Sequence, residues 1–174
     1  MSSEHVITAS RPRGASYPVS LPSRALRLLG PGTAQAASPV VRWAANLLAV
    51  AGAGLLIWSS VIHLQLWSDG YRSISVIGPL FLIQGVAGIA LAVVLVVFRR
   101  LVLMAAGAVL LASTAVGLLL SASIGLFGYQ ESLLVPNAKT SLVVEFAGAA
   151  ILAVAAVLVA AGWLARRRSA GQSS

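Results

Sequence analysis

The chain has 174 residues, no cysteine, and charge on only 9% of its positions. Without cysteine it forms no disulfide, no thiolate metal site and no dithiol redox pair, which excludes the thiol oxidoreductases of membranes. Soluble domains carry charge on about a quarter of their residues, so this chain has too little charge to cover a water-soluble body. With 59% hydrophobic residues and a mean hydropathy of +0.94, the composition is that of an integral membrane protein.

Basic residues outnumber acidic ones, with twelve Lys and Arg against four Asp and Glu. In a soluble protein this excess would indicate nucleic-acid binding, but here the basic residues flank long apolar stretches. We interpret them as determinants of membrane topology and predict no nucleic-acid partner. The predicted partners are the lipid bilayer and other membrane proteins or a second copy of the chain.

The first 39 residues contain five of the seven prolines and no long apolar run. Such a segment buries too little surface to offset its chain entropy, so 1–39 is predicted to be a disordered cytoplasmic tail. Within it, residues 22–29 have the pattern of a short amphipathic helix lying on the membrane, with Arg24 and Arg27 toward anionic headgroups. Residues 169–174 are predicted to form a short cytoplasmic tail at the other end.

Charged residues divide the rest of the chain into four apolar windows, each long enough for a membrane-spanning helix of about 20 residues. The predicted spans lie at 43–66, 76–98, 101–124 and 142–165. Only Arg99 and Arg100 separate the second span from the third, so these two helices must form an antiparallel hairpin. The predicted fold is all-α, a four-helix transmembrane bundle over residues 40–168.

The distribution of Lys and Arg predicts the orientation of the bundle, because cytoplasmic segments of membrane proteins are enriched in these residues. Ten of the twelve lie on the side of the two termini, and only Arg72 and Lys139 lie on the other. Both termini are therefore predicted to be cytoplasmic, in a multi-pass protein of the plasma membrane. Asp69, Glu131 and Glu145 then lie toward the outer face.

Small residues recur at helical spacing and predict the faces on which the spans pack, since small side chains allow close approach in membranes. In the first span this stripe is Ala45, Ala49, Gly52, Ala53, Leu56, Ser59, Ser60 and then His63. In the second it contains Gln84, Gly88 and Ala92, and in the third Gly107, Leu111, Thr114, Gly117 and Ser121. In the fourth it contains Glu145, Gly148, Ala149, Leu152, Ala153, Ala156 and Ala160.

Four polar residues on these stripes, His63, Gln84, Ser121 and Glu145, are predicted to form an intramembrane cluster near the outer face. A carboxyl group in the hydrocarbon region needs a partner, and His63 is the only basic residue within the spans. We expect Glu145 to accept a hydrogen bond from His63, with Ser121 and Gln84 satisfying the remaining polar groups. A purely structural role, in which the two residues pair or reach water and headgroups, is favoured over a working site.

Metal and haem sites are weaker alternatives on the same residues. His63, Glu145 and Asp69 offer the atom types that bind zinc, but they lack a close sequence spacing. A haem between helices needs two axial ligands, usually His, and would take His63 from each of two protomers. No metal site, cofactor or catalytic residue is therefore predicted.

Two connections on the outer side carry distinct patterns. In the loop 67–79, Asp69 and Gly70 form a turn signal, and Asp69 and Arg72 are expected to pair at the surface, where an ion pair contributes little. The segment 125–139 is longer and half apolar, which suits a re-entrant or interfacial piece. This segment is the predicted surface for binding a partner protein.

Three short runs resemble a group of small four-helix integral membrane proteins of actinobacteria. They are Ile62-His-Leu-Gln-Leu-Trp-Ser-Asp-Gly-Tyr-Arg72, Ile77-Gly-Pro-Leu-Phe-Leu-Ile-Gln84 and Gly125-Leu-Phe-Gly128. The resemblance covers about residues 40–168 and leaves out the tail. Because that group has no assigned activity, the resemblance implies a fold and a location and transfers no functional residue.

The leading functional prediction is a non-enzymatic one, since enzymes need a convergent acid, base and nucleophile and this chain offers one pair at most. We expect the protein to act by association, as an accessory or structural subunit of a membrane complex. One alternative is a small proton-coupled transporter or channel in which Glu145 and His63 carry the proton. Another is a metal or haem carrier that uses the same two residues.

Overall fold

The computed structural model describes residues 28–36, 38–134 and 136–172. Its four long helices are α1 (Pro39–Ser68), α2 (Ile77–Phe98), α3 (Leu101–Ile124) and α4 (Pro136–Gly171). Each is long and apolar enough to cross a bilayer. The predicted all-α four-helix architecture is confirmed, and the described ranges contain no β-strand.

Local sequence explains where the helices begin and turn. The Ser38 hydroxyl caps α1 by accepting a hydrogen bond from the Val41 amide at 3.3 Å, and Pro39 occupies the first turn, where its missing N–H costs nothing. At the end of α2, Arg99 has a left-handed φ of 43°, and Arg100 is extended. These two residues reverse the chain into α3.

The helices do not all pack against each other. Helix α1 packs on α2 and α4, and α3 packs on α4, whereas α2 and α3 make few contacts. The predicted antiparallel hairpin of α2 and α3 is therefore an open one. We call the end with Arg42, Arg99, Arg100 and Arg166 to Arg168 the arginine-rich end, and the end with the connections 69–76 and 125–135 the loop end.

The apolar core fills the half of the bundle nearer the arginine-rich end. Its fully buried large side chains are Leu56, Leu95, Met104, Leu111, Leu152 and Val159. A Cβ on Gly107 would lie 2.7 Å from Leu152 Cδ1 and 3.0 Å from Leu56 Cδ1, so any side chain at this position requires these leucines to shift. Besides this apolar cluster, Asn46 Oδ1 and Arg99 Nε are buried in this half of the bundle without a hydrogen-bond partner in the described ranges.

The small-residue stripes are confirmed on α1, where every predicted member is buried. The α4 stripe is partly wrong, because Ala153 is exposed while Ala155 and Val159 are fully buried. Helix α4 packs against both α1 and α3, so its buried face is wider than a stripe of small residues and includes larger ones. On α4, the residues that are buried are those that face α1 or α3, whatever the size of their side chains.

Both predicted tails differ in part from the structure. Residues 1–27, with Arg24 and Arg27 of the predicted amphipathic helix, lie outside the described residues. Residues 28–36, however, lie against the arginine-rich end: the Thr33 amide donates to Arg99 O at 3.2 Å, and Arg166 Nη2 donates to Ala36 O at 2.7 Å. This segment satisfies backbone groups that the ends of α2 and α3 leave unpaired. At the other terminus, α4 continues through 169–171, so that part of the predicted tail is helical.

Candidate functional site

A cavity of about 410 Å³ lies at the loop end, bounded by all four helices and both connections. The four residues of the predicted cluster, His63, Gln84, Ser121 and Glu145, all line it. Gln84 is the seventh residue after the start of α2, which places it about 10 Å along the helix axis. The cavity therefore reaches into the depth that the hydrocarbon core occupies.

Glu145 lies fully buried on α4 at the wall of this cavity. Its Oε1 atom accepts hydrogen bonds from the hydroxyls of Ser141, at 2.8 Å, and Ser59, at 3.2 Å. Ser141 stands one helical turn before Glu145 on α4, and Ser59 reaches across from α1. Oε1 is therefore the oxygen of this carboxyl group that accepts hydrogen bonds from the protein.

His63 is brought against the same oxygen. Its Nε2 atom lies 3.8 Å from Glu145 Oε1, while its Nδ1 atom lies 2.8 Å from the Ser59 carbonyl oxygen. A carbonyl oxygen only accepts, so Nδ1 carries a proton and donates it there. Nε2 is then bare in the neutral ring and protonated in the imidazolium. The predicted pair is thus in contact, but at a distance too long for the hydrogen bond we expected, and it is an ion pair only when the His63 ring is protonated.

The expected partners of this pair are wrong. Ser121 and Gln84 make no hydrogen bond to His63 or Glu145, and their place is taken by Ser59 and Ser141. The spacing offered a signal, since Ser59 precedes His63 by four residues and Ser141 precedes Glu145 by four, which puts each pair on one helix face. Ser121 instead contacts the second connection, with its Oγ 3.5 Å from the Tyr129 carbonyl oxygen.

Two buried polar atoms on the cavity residues have no hydrogen-bond partner within the described chain. They are Oε2 of Glu145 and Nε2 of Gln84. Buried polar atoms of folded proteins are almost always paired, because an unpaired one costs about 1–3 kcal/mol. Both residues line the cavity, so a bound molecule that reached these two buried atoms would gain hydrogen bonds there.

Aromatic rings form one wall of the cavity, which sequence reasoning missed. The Phe81 ring lies 5.0 Å from the His63 ring, edge to face, and 5.1 Å from the Tyr71 ring, stacked. The Tyr129 ring lies 5.6 Å from that of Tyr71. We call Tyr71, Phe81 and Tyr129 the aromatic wall.

A chain of hydrogen bonds joins the two connections above this wall. The Tyr129 hydroxyl donates to the Tyr71 hydroxyl at 3.0 Å, which donates to Glu131 Oε2 at 2.8 Å. Burial raises the pKa of the Tyr71 phenol above its ordinary value, so this residue stays a donor. Tyr71 is placed by a tight approach at Gly78, where a Cβ would lie 2.7 Å from the Tyr71 carbonyl oxygen.

The cavity opens sideways between α2 and α3. Its lining includes Leu80 and Ile83 of α2, which are 48% and 63% exposed, and the exposed Ser113 of α3. Phe127 and Asn137, which are also exposed, line the cavity at the loop end. Helices α2 and α3 make few contacts, which leaves a gap between them. In a bilayer this gap, which we call the lateral opening, faces lipid chains.

The remaining predicted site residues lie apart from the cavity. Asp69 Oδ1 accepts from the Ser68 hydroxyl at 3.3 Å and makes no ion pair with Arg72, so the expected surface pair is wrong. Both side chains are exposed on the first connection, where water competes for them. Nowhere in the described ranges do three His, Cys, Asp or Glu residues come together, and Asp69 does not join His63 and Glu145 as a third ligand.

No family model, curated protein or solved structure matches the chain. The resemblance to the actinobacterial membrane proteins therefore stays a prediction. The function of the cavity has to be argued from its own residues and their geometry.

Proposed function

We propose that this multi-pass membrane protein binds an amphiphilic small molecule in the loop-end cavity, and that the molecule arrives from the bilayer through the lateral opening. The observation that carries this proposal is the pair of buried, unpartnered atoms, Gln84 Nε2 and Glu145 Oε2, on the lining of a mostly apolar cavity. A ligand head group would satisfy both atoms, and its apolar tail would lie between α2 and α3.

The size and lining of the cavity support this function. Small-molecule sites have volumes of about 300–1,000 Å³ and are mostly apolar, with a few polar groups that orient the ligand. The cavity, at about 410 Å³, fits that description. Its apolar lining includes Leu66, Ile77, Leu80, Leu110, Leu118 and Leu126.

Binding without chemistry is the better account of the polar residues. The hydroxyls of Ser59 and Ser141 donate to Glu145, and Thr114 donates to backbone carbonyls of α3. None of these hydroxyls donates to His63, so none is placed as a nucleophile that His63 would activate. We therefore propose that the protein is not an enzyme.

Proton-coupled transport is a second candidate, favoured by the 3.8 Å contact between His63 and Glu145. A transport path would also have to continue from the cavity to the arginine-rich end. The apolar core with Leu56, Leu111 and Leu152 fills much of that half of the bundle, and the unpaired buried polar atoms described there are Asn46 Oδ1 and Arg99 Nε. Ligand binding requires no such path and is the simpler proposal.

The role in association predicted from the sequence stays a proposal alongside ligand binding. It is supported by the second connection, where Phe127 is 65% exposed and has a positive φ of 53°. We also propose that the arginine-rich end lies in the cytoplasm of a plasma-membrane protein, as the excess of Arg at that end favours.

A photoreactive alkyl alcohol tests the binding function. We would reconstitute the full chain in lipid nanodiscs, irradiate it with a decanol derivative that carries a diazirine near its tail end, and locate adducts by mass spectrometry. The expected adducts lie on the lining residues of α2 and α3, and excess unlabelled decanol should suppress them. Labelling spread over all lipid-facing residues, without saturation, would contradict the proposal.

A pair of glycine variants provides the matched control. A Cβ on Gly117 or on Gly54 meets no atom within 4 Å, but only Gly117 lines the cavity. Gly117→Phe adds its Cβ without a clash and should place its ring in the cavity and abolish saturable labelling. Gly54→Phe adds the same ring on the lipid-facing side of α1 and should leave the labelling unchanged.

A further inference from the structure

The cavity lining carries acidic groups and no strongly basic ones. Glu145 and Glu131 belong to it, whereas none of the Lys and Arg residues does. The other group on the lining that could carry a positive charge is His63. A bound cation would favour the ionised form of both carboxyl groups, and two negative charges would then face at most one positive charge from His63.

The geometry of Glu145 leaves one oxygen available. Oε1 accepts from Ser59 and Ser141 and faces His63, whereas Oε2 has no partner within the described chain. A carboxylate oxygen only accepts, so its ligand must supply a donor. Hydrogen bonds with an ionised donor or acceptor are about twice as strong as those between neutral groups, and in a bond from an ammonium group to a carboxylate both partners are ionised.

The aromatic wall also favours a positively charged ligand. Phe81 lies against the His63 ring, Tyr71 stacks on Phe81, and Tyr129 contacts Tyr71, so three aromatic rings line this side of the cavity. A cation over an uncovered ring face gains about 0.5–2 kcal/mol. An anionic head group gains nothing from such a face and would be repelled by ionised Glu145 and Glu131.

Gln84 adds a second requirement. Its unpartnered Nε2 atom is a donor, so the head group must also offer an acceptor. An ammonium group alone offers none. A hydroxyl or ether oxygen next to the nitrogen supplies it.

We propose that the ligand is a cationic amphiphile, an alkyl amine with a neighbouring hydroxyl or ether oxygen, whose ammonium group donates to Glu145 Oε2. This inference rests on the proposed function and names the chemical class of its ligand. The oxygen of the head group accepts from Gln84 Nε2, and the alkyl tail leaves through the lateral opening between α2 and α3. Alkyl amines carry this charge at neutral pH because their pKa lies near that of a Lys side chain, about 10.4.

Competition among probes that share the same alkyl tail but differ in head group tests whether the ligand is a cation. Decylamine, decanol and decanoate would each compete with the photoreactive decanol on the wild-type chain in zwitterionic nanodiscs. We expect decylamine to halve the labelling at a concentration about tenfold below that of decanol, the ratio that about 1.4 kcal/mol of extra binding energy produces. Decanoate should be the weakest competitor, and 2-aminodecan-1-ol the strongest.

Two variants test whether Glu145 causes the preference for an amine and whether Gln84 causes the preference for the added oxygen. Glu145→Gln, which keeps the shape of the side chain, should make decylamine and decanol equal. Gln84→Leu should retain the preference for the amine and remove the advantage of the amino alcohol over it. Comparing each probe between variants in the same lipid cancels differences in how the probes partition into the bilayer.

The outcomes separate this inference from the proposed function. If decanol or decanoate competes as well as decylamine on the wild-type chain, the ligand is not a cation, although the cavity still binds an amphiphile. If Glu145→Gln keeps its fold but leaves the order of the probes unchanged, the countercharge is not Glu145 and the inference fails. If no probe labels the cavity in a saturable manner, the proposed function fails together with this inference. Should Glu145→Gln not fold, the order of probes on the wild-type chain decides.

Discussion

Nε2 of His63 and Oε1 of Glu145 face each other across the contact between α1 and α4 at 3.8 Å. The second carboxyl oxygen of Glu145 has no such partner. The two oxygens of one carboxyl group therefore have different surroundings, one among protein donors and the other without any. This division allows the structural role of Glu145 and its role in binding to be measured separately.

The contact between His63 and Glu145 should appear as coupling in a double-mutant cycle. Removing one member of a buried polar pair leaves the other unpaired, which destabilises more than removing both. We expect His63→Ala and Glu145→Gln each to lower unfolding stability in mild detergent, and the double variant to lose less than the sum, by about 0.5–3 kcal/mol. Additive losses would show that the two side chains do not interact.

The close packing of α1 should make it sensitive to added volume. Ala49 is 1% exposed on the stripe, and its neighbour Val50 is 47% exposed. Ala49→Leu should force helices apart and lower the free energy of unfolding by about 1–3 kcal/mol, as overpacking does. Val50→Leu is the control and should change it little. Equal losses at the two positions would mean that small residues do not mark the packing face.

The hydrogen-bond chain at the loop end should contribute to stability. Tyr71→Phe removes the donor to Glu131 and the acceptor of the Tyr129 hydroxyl. We expect a loss of about 1–3 kcal/mol in the free energy of unfolding, because two hydrogen bonds of about 0.5–1.5 kcal/mol each are removed. Glu131→Gln keeps an oxygen that accepts from Tyr71 and should cost less. A Tyr71→Phe variant as stable as the wild type would show that these hydrogen bonds do not contribute to stability.

The helices and their packing faces could largely be predicted because both follow from one-dimensional patterns. Apolar windows between charges mark the four spans, and the helical repeat of small residues marked the α1 face that the structure buries. The same patterns placed His63, Gln84, Ser121 and Glu145 toward one end of the bundle, where they share a cavity.

The details of the cavity depend on how helices rotate against one another, which no pattern along one helix contains. The sequence therefore predicted that Ser121 and Gln84 satisfy the remaining polar groups of the His63 and Glu145 pair, whereas Ser59 and Ser141 donate to Glu145 in the structure. The aromatic wall and the lateral opening depend on the paths of two irregular connections and on the wide separation of α2 and α3. Such features arise from three-dimensional packing alone.

The absence of cysteine allows the orientation to be tested with single introduced thiols. Ser132 lies exposed on the second connection at the loop end, and Gln172 follows α4 at the arginine-rich end. If the arginine-rich end is cytoplasmic, a membrane-impermeant maleimide should label Ser132→Cys on intact cells and Gln172→Cys only after permeabilisation. The reverse pattern would overturn the orientation.

Blocking the lateral opening tests the central claim most directly. Ile83 lines the cavity and is 63% exposed, whereas Val86, three residues further along α2, is 57% exposed and does not line it. After a bulky maleimide is attached to Ile83→Cys or to Val86→Cys in nanodiscs, saturable labelling by the photoreactive decanol would be measured. The account predicts that the Ile83 adduct abolishes labelling of the cavity and that the Val86 adduct leaves it at the wild-type level. Full labelling with the Ile83 adduct in place would contradict a ligand that arrives from the bilayer between α2 and α3.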